Sequence, residues 1–310
     1  MKINRLCLLS SPVVLLMFSA CQKAGGGSKT IYDTVTVTKT DTVQLPPPND
    51  TLNLTNGLVL YLPFTNGSMA DSSGNGNTVT AIGGDTLGYD MHGWAKSAFT
   101  SNGNGQYLLI GNNGSYTFDT AFSLSLDFVI RSVPTFNGIG VPGLMTLASL
   151  VDVSNGDGPM LHVGMVSYAE SCVPQPLDLG INGAANGCDN IGSGGPAVLN
   201  DVTTFLPQVG SWYNLIVTFS SGSVNMYING QNINSATANF TSLLNCPDAN
   251  FVIGGWWDGD PECINGAIDE VRVYNKTLSA QQIAWLARNF QIHSNSQQPG
   301  LHSGKLSTLQ

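Results

Sequence analysis

The feature that most limits how this chain can fold is residues 266–283, which read as a strand followed directly by a helix. Val271 and Val273 fall on one face of the strand. The residues of the other face are Glu270, Arg272 and Tyr274. This period of two is that of a strand with one buried face. We therefore expect the valines in a core and the opposite face open.

The helix is predicted by a capping pattern and an apolar stripe. Ser279 followed by Gln282 is a capping box, in which each residue satisfies a backbone N–H that the first helical turn leaves without a partner. The apolar residues that follow recur at helical spacing and would dock the helix onto the rest of the domain. They are Ile283, Trp285, Leu286 and Phe290.

Short alternating runs separated by turns fill the rest of the globular region. With 36 glycines and only 10% charged residues, the chain favours strands joined by turns over helices held by surface ion pairs. Asn229-Gly230 between two runs is typical of a tight hairpin. An all-β sandwich in one domain is expected, because no internal repeat or second linker divides the region. The predicted strands are 58–64, 106–110, 122–131, 144–151, 160–168, 212–220, 224–228, 231–235 and 250–254.

Two early motifs add a resemblance to a known family. Residues 57–64 (GLVLYLPF) and 71–77 (DSSGNGN), together with 266–283, resemble the LamG-like jelly roll of the concanavalin A-like lectin/glucanase superfamily. The resemblance covers residues 56–290 and implies a two-sheet antiparallel jelly-roll sandwich with a short C-terminal helix. Residues 291–310 lack a periodic pattern and are expected to form a flexible tail.

The N-terminus has the layout of a secretory signal. Lys2 and Arg5 precede an apolar run over residues 6–18, which is too short for a comfortable membrane span. The small residues before Cys21 resemble a bacterial lipobox, which implies cleavage after residue 20 and lipidation of Cys21. The alternative is an ordinary signal with an incidental cysteine.

Residues 21–55 predict a stalk, because a glycine-rich spacer is followed by alternating Thr and Val and then by three consecutive prolines. The protein is therefore expected at the cell envelope as an outer-membrane lipoprotein. Acidic residues, which mark surface export in some bacteria, do not directly follow Cys21. The choice between the periplasmic and the surface side stays open.

Four cysteines remain in the globular region, and they are Cys172, Cys188, Cys246 and Cys263. Four cysteines allow three pairings. The sequential pairings are favoured, since each would close one loop-rich insertion in an oxidising compartment. Each closed loop would add about 3 kcal/mol to the free energy of unfolding. Zinc is the alternative, but neither pair has Cys-x-x-Cys spacing.

The loop over residues 71–77 is dense in oxygen donors, which suits a hard cation such as Ca²⁺. In LamG-like jelly rolls an acid of this loop can share one calcium with the aspartate of the last strand. The resemblance carries these roles to Asp71 and Asp269, with Asn77 adding a carbonyl oxygen. The alternative is a polar turn in which Asp71 accepts local hydrogen bonds.

A pair of convergent carboxylates would indicate an enzyme. Glycosidases of this superfamily place two carboxylates in one cleft, about 5 to 5.5 Å apart for a retaining mechanism. The neighbouring acids on a strand here are Asp269 and Glu270. Consecutive strand residues point to opposite faces, so we expect these two not to flank one glycosidic bond. The sequence therefore argues against hydrolysis without excluding it.

The most distinctive insertion is residues 254–263, where Trp256 and Trp257 stand beside Asp258 and Asp260. A Trp ring can stack on the apolar face of a sugar while carboxylates accept its hydroxyl protons. We therefore predict a ligand site in this loop. The alternatives are a Trp that caps the core and carboxylates that are solvated or hold a second calcium. The open face of residues 270–274 is the next candidate.

Binding is the role that these patterns favour, with carbohydrate as the leading ligand, a protein partner second and glycoside hydrolysis third. The formal net charge of −9 argues against nucleic acid, whose phosphates are bound mainly by Lys and Arg. Contact with a membrane is expected only through the lipid anchor.

The lipid anchor is directly testable. We expect Cys21→Ser to release the protein from membranes, because the residue that would carry the lipid is lost. Membrane fractionation and labelled fatty acid incorporation measure this. A variant that stays with membranes, together with an unlabelled wild type, would contradict the prediction.

Overall fold

The computed structural model describes residues 52–84, 86–114, 116–132, 143–148, 160–165, 176–186, 197–246, 249–255 and 263–295. Residues 1–51, with the predicted signal, Cys21 and most of the stalk, lie outside this part. The strands are β1 (Leu58–Leu62), β2 (Val79–Ile82), β3 (Leu87–Gly88), β4 (Ala98–Asn102), β5 (Tyr107–Ile110), β6 (Ala121–Ile130), β7 (Gly143–Ala148), β8 (Leu161–Met165), β9 (Leu177–Asn182), β10 (Val198–Val202), β11 (Trp212–Ser220), β12 (Ser223–Ile228), β13 (Gln231–Thr237), β14 (Asn250–Ile253) and β15 (Asn265–Tyr274), and the helix is α1 (Ala280–Asn295).

The strands form two antiparallel sheets. In the first sheet the order is β13-β12-β11-β6-β15-β4-β3. β1 also pairs with β15, on the same side as β4. In the second sheet the order is β10-β9-β8-β7-β14-β5-β2. The predicted all-β sandwich with a helix after the last strand is confirmed. The helix continues to Asn295, beyond the predicted boundary at 290.

The core lies between the two sheets and follows from the alternation of apolar residues. The core-facing residues of β6 are Phe122, Leu124, Leu126, Phe128 and Ile130. Phe251 and Ile253 of the second sheet belong to the same cluster. Phe122 stacks on Phe219 with ring centroids 5.6 Å apart. Truncating a buried Phe to Ala typically costs about 3–5 kcal/mol, so these rings contribute heavily to stability.

Two local predictions are confirmed in detail. Asn229 and Gly230 have φ angles of 50° and 79°, the paired left-handed conformation of a type I′ hairpin turn. At the start of α1, the backbone N–H of Ser279 donates to Oε1 of Gln282 at 2.9 Å, and the backbone N–H of Gln282 donates to Oγ of Ser279 at 3.2 Å. This is the reciprocal capping box that the sequence indicates.

The helix covers the outer face of the first sheet, which corrects the prediction of an open face. Ile283 and Leu286 of α1 pack in one cluster with Ile216 and Tyr274 of the sheet. Tyr274 is fully buried as a result. Within the described residues, no helix combines the length and apolar character needed to cross a membrane.

The last strand changes its edge partner halfway along its length. Its first half, Asn265 to Ile268, pairs with β4, and its second half, Val271 to Tyr274, pairs with β1. Between these halves the register against β6 shifts at a bulge, and Glu270 has a φ of 52°. A bulge inserts one extra residue and re-aims the side chains beside it. Along this edge of β15 there is therefore a gap between β4 and β1, at Asp269 and Glu270, which pair with neither strand.

The predicted pairing of Cys246 with Cys263 is wrong. Cys246 is disulfide-bonded, whereas Cys263 is a buried thiol. The two residues lie in separate apolar clusters, Cys246 in the core between the sheets and Cys263 in a smaller cluster. The other predicted disulfide residues, Cys172 and Cys188, lie outside the described residues.

Candidate functional site

A pocket of about 330 Å³ opens on the outer face of the first sheet, at the gap beside the bulge. Its floor is formed by polar residues of three adjacent strands: Asp127, Asn214, Asp269, Glu270 and Arg272. One wall is the apolar side of α1, with Trp285, Leu286 and Phe290. Other lining residues come from β1 and from the loop before β4, among them Tyr61, Asp90, His92 and Trp94.

The bulge brings Asp269 and Glu270 to the same pocket. Simple alternation would place them on opposite faces, and this premise of the prediction that they do not flank one glycosidic bond is wrong. Glu270 occupies the extra position of the bulge, so both carboxylates line the outer pocket while Ile268 and Val271 stay in the core. Alternation on either side of the bulge holds as predicted.

Two buried carboxyl groups face each other across the pocket floor. Asp127 and Asp269 occupy directly opposed positions on β6 and β15. Their residues are only 6% and 7% exposed. Oδ1 of Asp127 accepts a hydrogen bond from Nδ2 of Asn214 at 2.7 Å, and Oδ1 of Asp269 accepts one from the backbone N–H of Glu270 at 2.8 Å.

The surroundings of this pair favour the neutral carboxylic acids. Burial raises the pKa of Asp127 to about 7, although the Asn214 hydrogen bond opposes this. Burial, followed by the negative charges of Glu270 and Asp127, raises the pKa of Asp269 to about 9. Carboxyl groups with raised pKa values in a pocket are candidates for a functional role.

Arg272 is already engaged by its neighbours. Its Nη2 donates to Oε2 of Glu270 and, at 2.8 Å, to the hydroxyl oxygen of Tyr61. The guanidinium carbon lies 4.2 Å from the centre of the Tyr61 ring. Burial, the largest single effect, opposes the charge of Arg272, but the Glu270 carboxylate, Tyr61 and Tyr274 together outweigh it and raise the pKa of the guanidinium. Its charge is therefore balanced within the wall of the pocket.

An exposed tryptophan stands at the mouth of the pocket. Trp94 is 66% exposed and lies beside the His92 ring, with ring centroids 5.2 Å apart. Asp90 shapes this loop, because its Oδ1 accepts the backbone N–H groups of both His92 and Trp94 at 2.8 Å. The loop thus presents a large, accessible ring next to a floor of carboxyl groups.

The predicted calcium residues fall into two separate environments. Asp71 accepts five hydrogen bonds, from the backbone N–H groups of Tyr61, Ser73 and Asn77, from Oγ of Ser73 and from Nδ2 of Asn77. Burial alone would raise the pKa of Asp71, but the hydrogen bonds from Ser73 and Tyr61 outweigh it and lower the pKa. Asp269 instead faces Asp127. Donor groups on both oxygens of Asp71 match the polar-turn alternative.

Among the described side chains, no group of three or more His, Cys, Asp or Glu could hold a metal ion. Calcium therefore stays a prediction. The predicted ligand residues Trp256, Trp257, Asp258 and Asp260 lie outside the described residues, and the site proposed for that loop also stays a prediction.

Sequence reasoning missed Asp90, Trp94, Asp127 and Asn214 as site residues. They come from positions far apart in the chain, and only the fold brings them together. One signal was available, because Asp127 is an acid on a strand whose other polar outward residues are serines, Ser123 and Ser125. A charge in the middle of a central strand is costly to bury, which marks it as a candidate for function.

A laminin G family model, described as "Concanavalin A-like lectin/glucanases superfamily", matches residues 102–284. A search of curated proteins found no significant match.

Solved structures share the fold. Domain 4 of an extracellular GH43 arabinanase from Geobacillus stearothermophilus, solved with arabinotriose, has a TM-score of 0.52 at 24% identity, covering 74% of this chain and 98% of that one. A botulinum neurotoxin type C structure, described as depending on two ganglioside molecules for cell entry, has a TM-score of 0.52 at 18% identity. The match covers 77% of this chain and 52% of the toxin chain. The binding domain of botulinum neurotoxin DC, solved with rat synaptotagmin II, has a TM-score of 0.53 at 17% identity. The match covers 76% of this chain and 52% of that one. This chain thus spans about half the length of the toxin chains.

The contacts of Asp71 predict a structural role. Asp71→Ala should lower the free energy of unfolding by about 1–3 kcal/mol, because the donors that it satisfies would be left without partners. Urea unfolding measures this, with Asp119→Ala, an exposed acid, as the control. Equal stability of the two variants would contradict the structural role.

A thermal melt of the wild type with chelator tests calcium. The hydrogen bonds of Asp71 alone predict no shift in the melting temperature, whereas a lower melting temperature that Ca²⁺ restores would establish the predicted cation.

The raised pKa of Asp269 predicts a pH-dependent stability. An unfolded Asp has a pKa near 4, and the folded value is about 9, so the unfolded state loses its proton first as pH rises. The contribution of Asp269 to the free energy of unfolding should therefore be largest below about pH 4 and fall as the pH rises towards 9. Asp269→Asn should reduce this fall, leaving the part that the raised pKa of Asp127 contributes, and should be more stable than wild type at pH 9 by on the order of 2 kcal/mol.

Urea unfolding of wild type, Asp269→Asn and the exposed control Asp119→Asn at pH 4, 7 and 9 tests this. Parallel pH profiles for wild type and Asp269→Asn would show that Asp269 is ionised normally in the folded protein.

Proposed function

The chain belongs to the concanavalin A-like lectin/glucanases superfamily, and from that premise we propose that it binds carbohydrate in the pocket on the outer face of the first sheet. The observation that carries the proposal is the juxtaposition of the exposed Trp94 ring with the carboxyl floor of Asp127 and Asp269. A sugar ring has an apolar face, which stacks on an aromatic ring, and a rim of hydroxyl groups, which donate to carboxylates.

The size and shape of the pocket support a small ligand. Its volume of about 330 Å³ is at the lower end of the range of ligand pockets, roughly 300–1,000 Å³. One end of a glycan therefore fits better than a long internal segment. The apolar wall of α1, with Trp285 and Phe290, would exclude water from the bound ring.

The solved structures that share the fold support carbohydrate binding. One was solved with an arabinose oligosaccharide, and another is described as interacting with gangliosides. The neurotoxin binding domain solved with synaptotagmin supports a protein partner as the alternative. The pocket described here favours a glycan, because its floor is polar and recessed rather than flat and apolar.

Glycoside hydrolysis is the second candidate, because Asp127 and Asp269 converge. Directly opposed residues of antiparallel strands have Cβ atoms about 4.5–5.5 Å apart, close to the spacing of about 5 to 5.5 Å between the carboxyls of retaining glycosidases. Such an enzyme needs one ionised carboxylate, and burial opposes the ionisation of both groups, although Asp127, with a pKa of about 7, is partly ionised near neutral pH. Binding without turnover is therefore the leading function.

We also propose that binding takes place at the cell envelope, with the lipid on Cys21 as the anchor and residues 21–55 as the tether. The support is the N-terminal sequence: a basic start, a short apolar run and small residues before a cysteine. A tethered domain of this kind would reach glycans away from the membrane surface.

Trp94→Ala tests the proposed site. On a glycan array, and then by calorimetry on the best ligand, the variant should bind at least tenfold more weakly, a loss of about 1.4 kcal/mol. Its melting temperature should change little, since Trp94 is mostly exposed. The matched control is Tyr89→Ala, which removes a 62% exposed aromatic ring of the same loop that does not line the pocket.

Equal affinity of wild type and Trp94→Ala for a bound glycan would contradict the site, and wild type binding to no glycan would contradict the function. Release of sugar products from the bound glycan, abolished by Asp127→Asn, would establish the second candidate.

A further inference from the structure

The floor of the pocket offers hydrogen-bond acceptors with few donors to match them. Asp127 receives one donor from Asn214, and Asp269 receives one from its own neighbour in the chain. Within the described residues, no other donor reaches either carboxyl group. Oδ1 of Asn214 is buried and has no hydrogen-bond partner in this part of the chain, although Asn214 lines the pocket and is only 3% exposed. A ligand that donates several hydrogen bonds would satisfy these atoms.

The charge around the floor is also unbalanced. Asp90 and Glu270 add two further carboxylates to the lining of the pocket. Among the described residues that line the pocket, Arg272 is the one Lys or Arg; Glu270 binds it directly, and its charge also favours the ionised form of Asp127. In this part of the chain no Lys or Arg forms an ion pair with Asp127 or Asp269. An anionic sugar would meet repulsion here, and a neutral hydroxyl would supply a single donor and no charge.

We propose that this pocket selects a sugar with a free, protonated amine, whose ammonium group binds between Asp127 and Asp269 while its ring lies on Trp94. The inference rests on the proposed function, because it names the class of carbohydrate that the same pocket binds. An ammonium group carries three N–H donors and one positive charge, which matches two carboxylates and the amide oxygen of Asn214.

The energetics favour this ligand over its neutral analogues. Hydrogen bonds between an ammonium and a carboxylate are roughly twice as strong as those between neutral groups. A bound ammonium also favours the ionised carboxylates, which offsets the burial that opposes their charge. N-acetylation removes the charge and two of the three donors and adds a bulky group. The free amine and its acetylated form should therefore bind very differently.

A matched set of sugars tests the inference. Purified full-length protein, in EDTA and about 0.15 M salt so that metal and long-range attraction contribute little, is titrated with oligosaccharides ending in glucosamine, galactosamine or mannosamine. Each is paired with its N-acetylated form and with the form that carries a hydroxyl in place of nitrogen. The expected result is that, for at least one skeleton, the free amine binds at least tenfold more tightly than both counterparts.

Variants locate the effect. Asp127→Asn and Asp269→Asn should each weaken binding of the amine far more than binding of the hydroxyl form, so that the preference for the amine falls at least tenfold. Asp119→Asn, which removes one negative charge from an exposed position outside the pocket, should leave the preference intact. Thermal melts confirm that each variant is folded.

The outcomes separate the two proposals. Equal or tighter binding of the neutral forms overturns the amine inference and leaves carbohydrate binding standing. An equal loss of affinity for the amine in Asp127→Asn, Asp269→Asn and Asp119→Asn would show that only the net charge of the protein matters, and it would also overturn the inference. Binding to none of the sugars, on this set and on the wider array, overturns the proposed function itself.

Discussion

The bulge at Asp269 and Glu270 is the constraint on which the site depends. At this point β15 exchanges β4 for β1 as its edge partner, and one extra residue turns two consecutive carboxylates to the same side. The left-handed backbone conformation of Glu270 costs a residue other than glycine about 1 kcal/mol. Local contacts offset it: Asp269 accepts the N–H of Glu270, and Arg272 and Tyr61 bind the Glu270 carboxylate. Without the bulge, alternation from Ile268 would turn Glu270 towards the core, away from the face that Asp269 lines.

Two aspartates of this chain show how hydrogen bonding separates a structural carboxylate from a functional candidate. Asp71 receives five donors and has a lowered pKa, so its charge is satisfied by the turn that it holds together. Asp127 and Asp269 receive one donor each and have raised pKa values. Burying such groups costs stability, and carboxyl groups with raised pKa values cluster at functional sites.

Much of the fold could be predicted from periodicity and local chemistry. The valines of β15, the Asn229-Gly230 turn and the capping box at Ser279 behave as expected, because each depends on residues adjacent in the sequence. The site could not be predicted in the same way. The bulge depends on which strands flank β15, the cover over Tyr274 depends on how α1 docks, and the meeting of Trp94 with Asp127 depends on the whole sheet order. In β15, alternation, a local rule, fails where the edge partner of the strand changes.

The central claim is that ligand is held on the outer face of the first sheet, between Trp94 and the opposed carboxyls. The most direct measurement is an experimental structure of the protein with the glycan that binds it most tightly. We expect a sugar ring against the Trp94 side chain, with a polar group of the sugar within hydrogen-bond distance of Asp127 and Asp269. A sugar bound elsewhere, such as against Trp256 or Trp257, with nothing in this pocket, would contradict it.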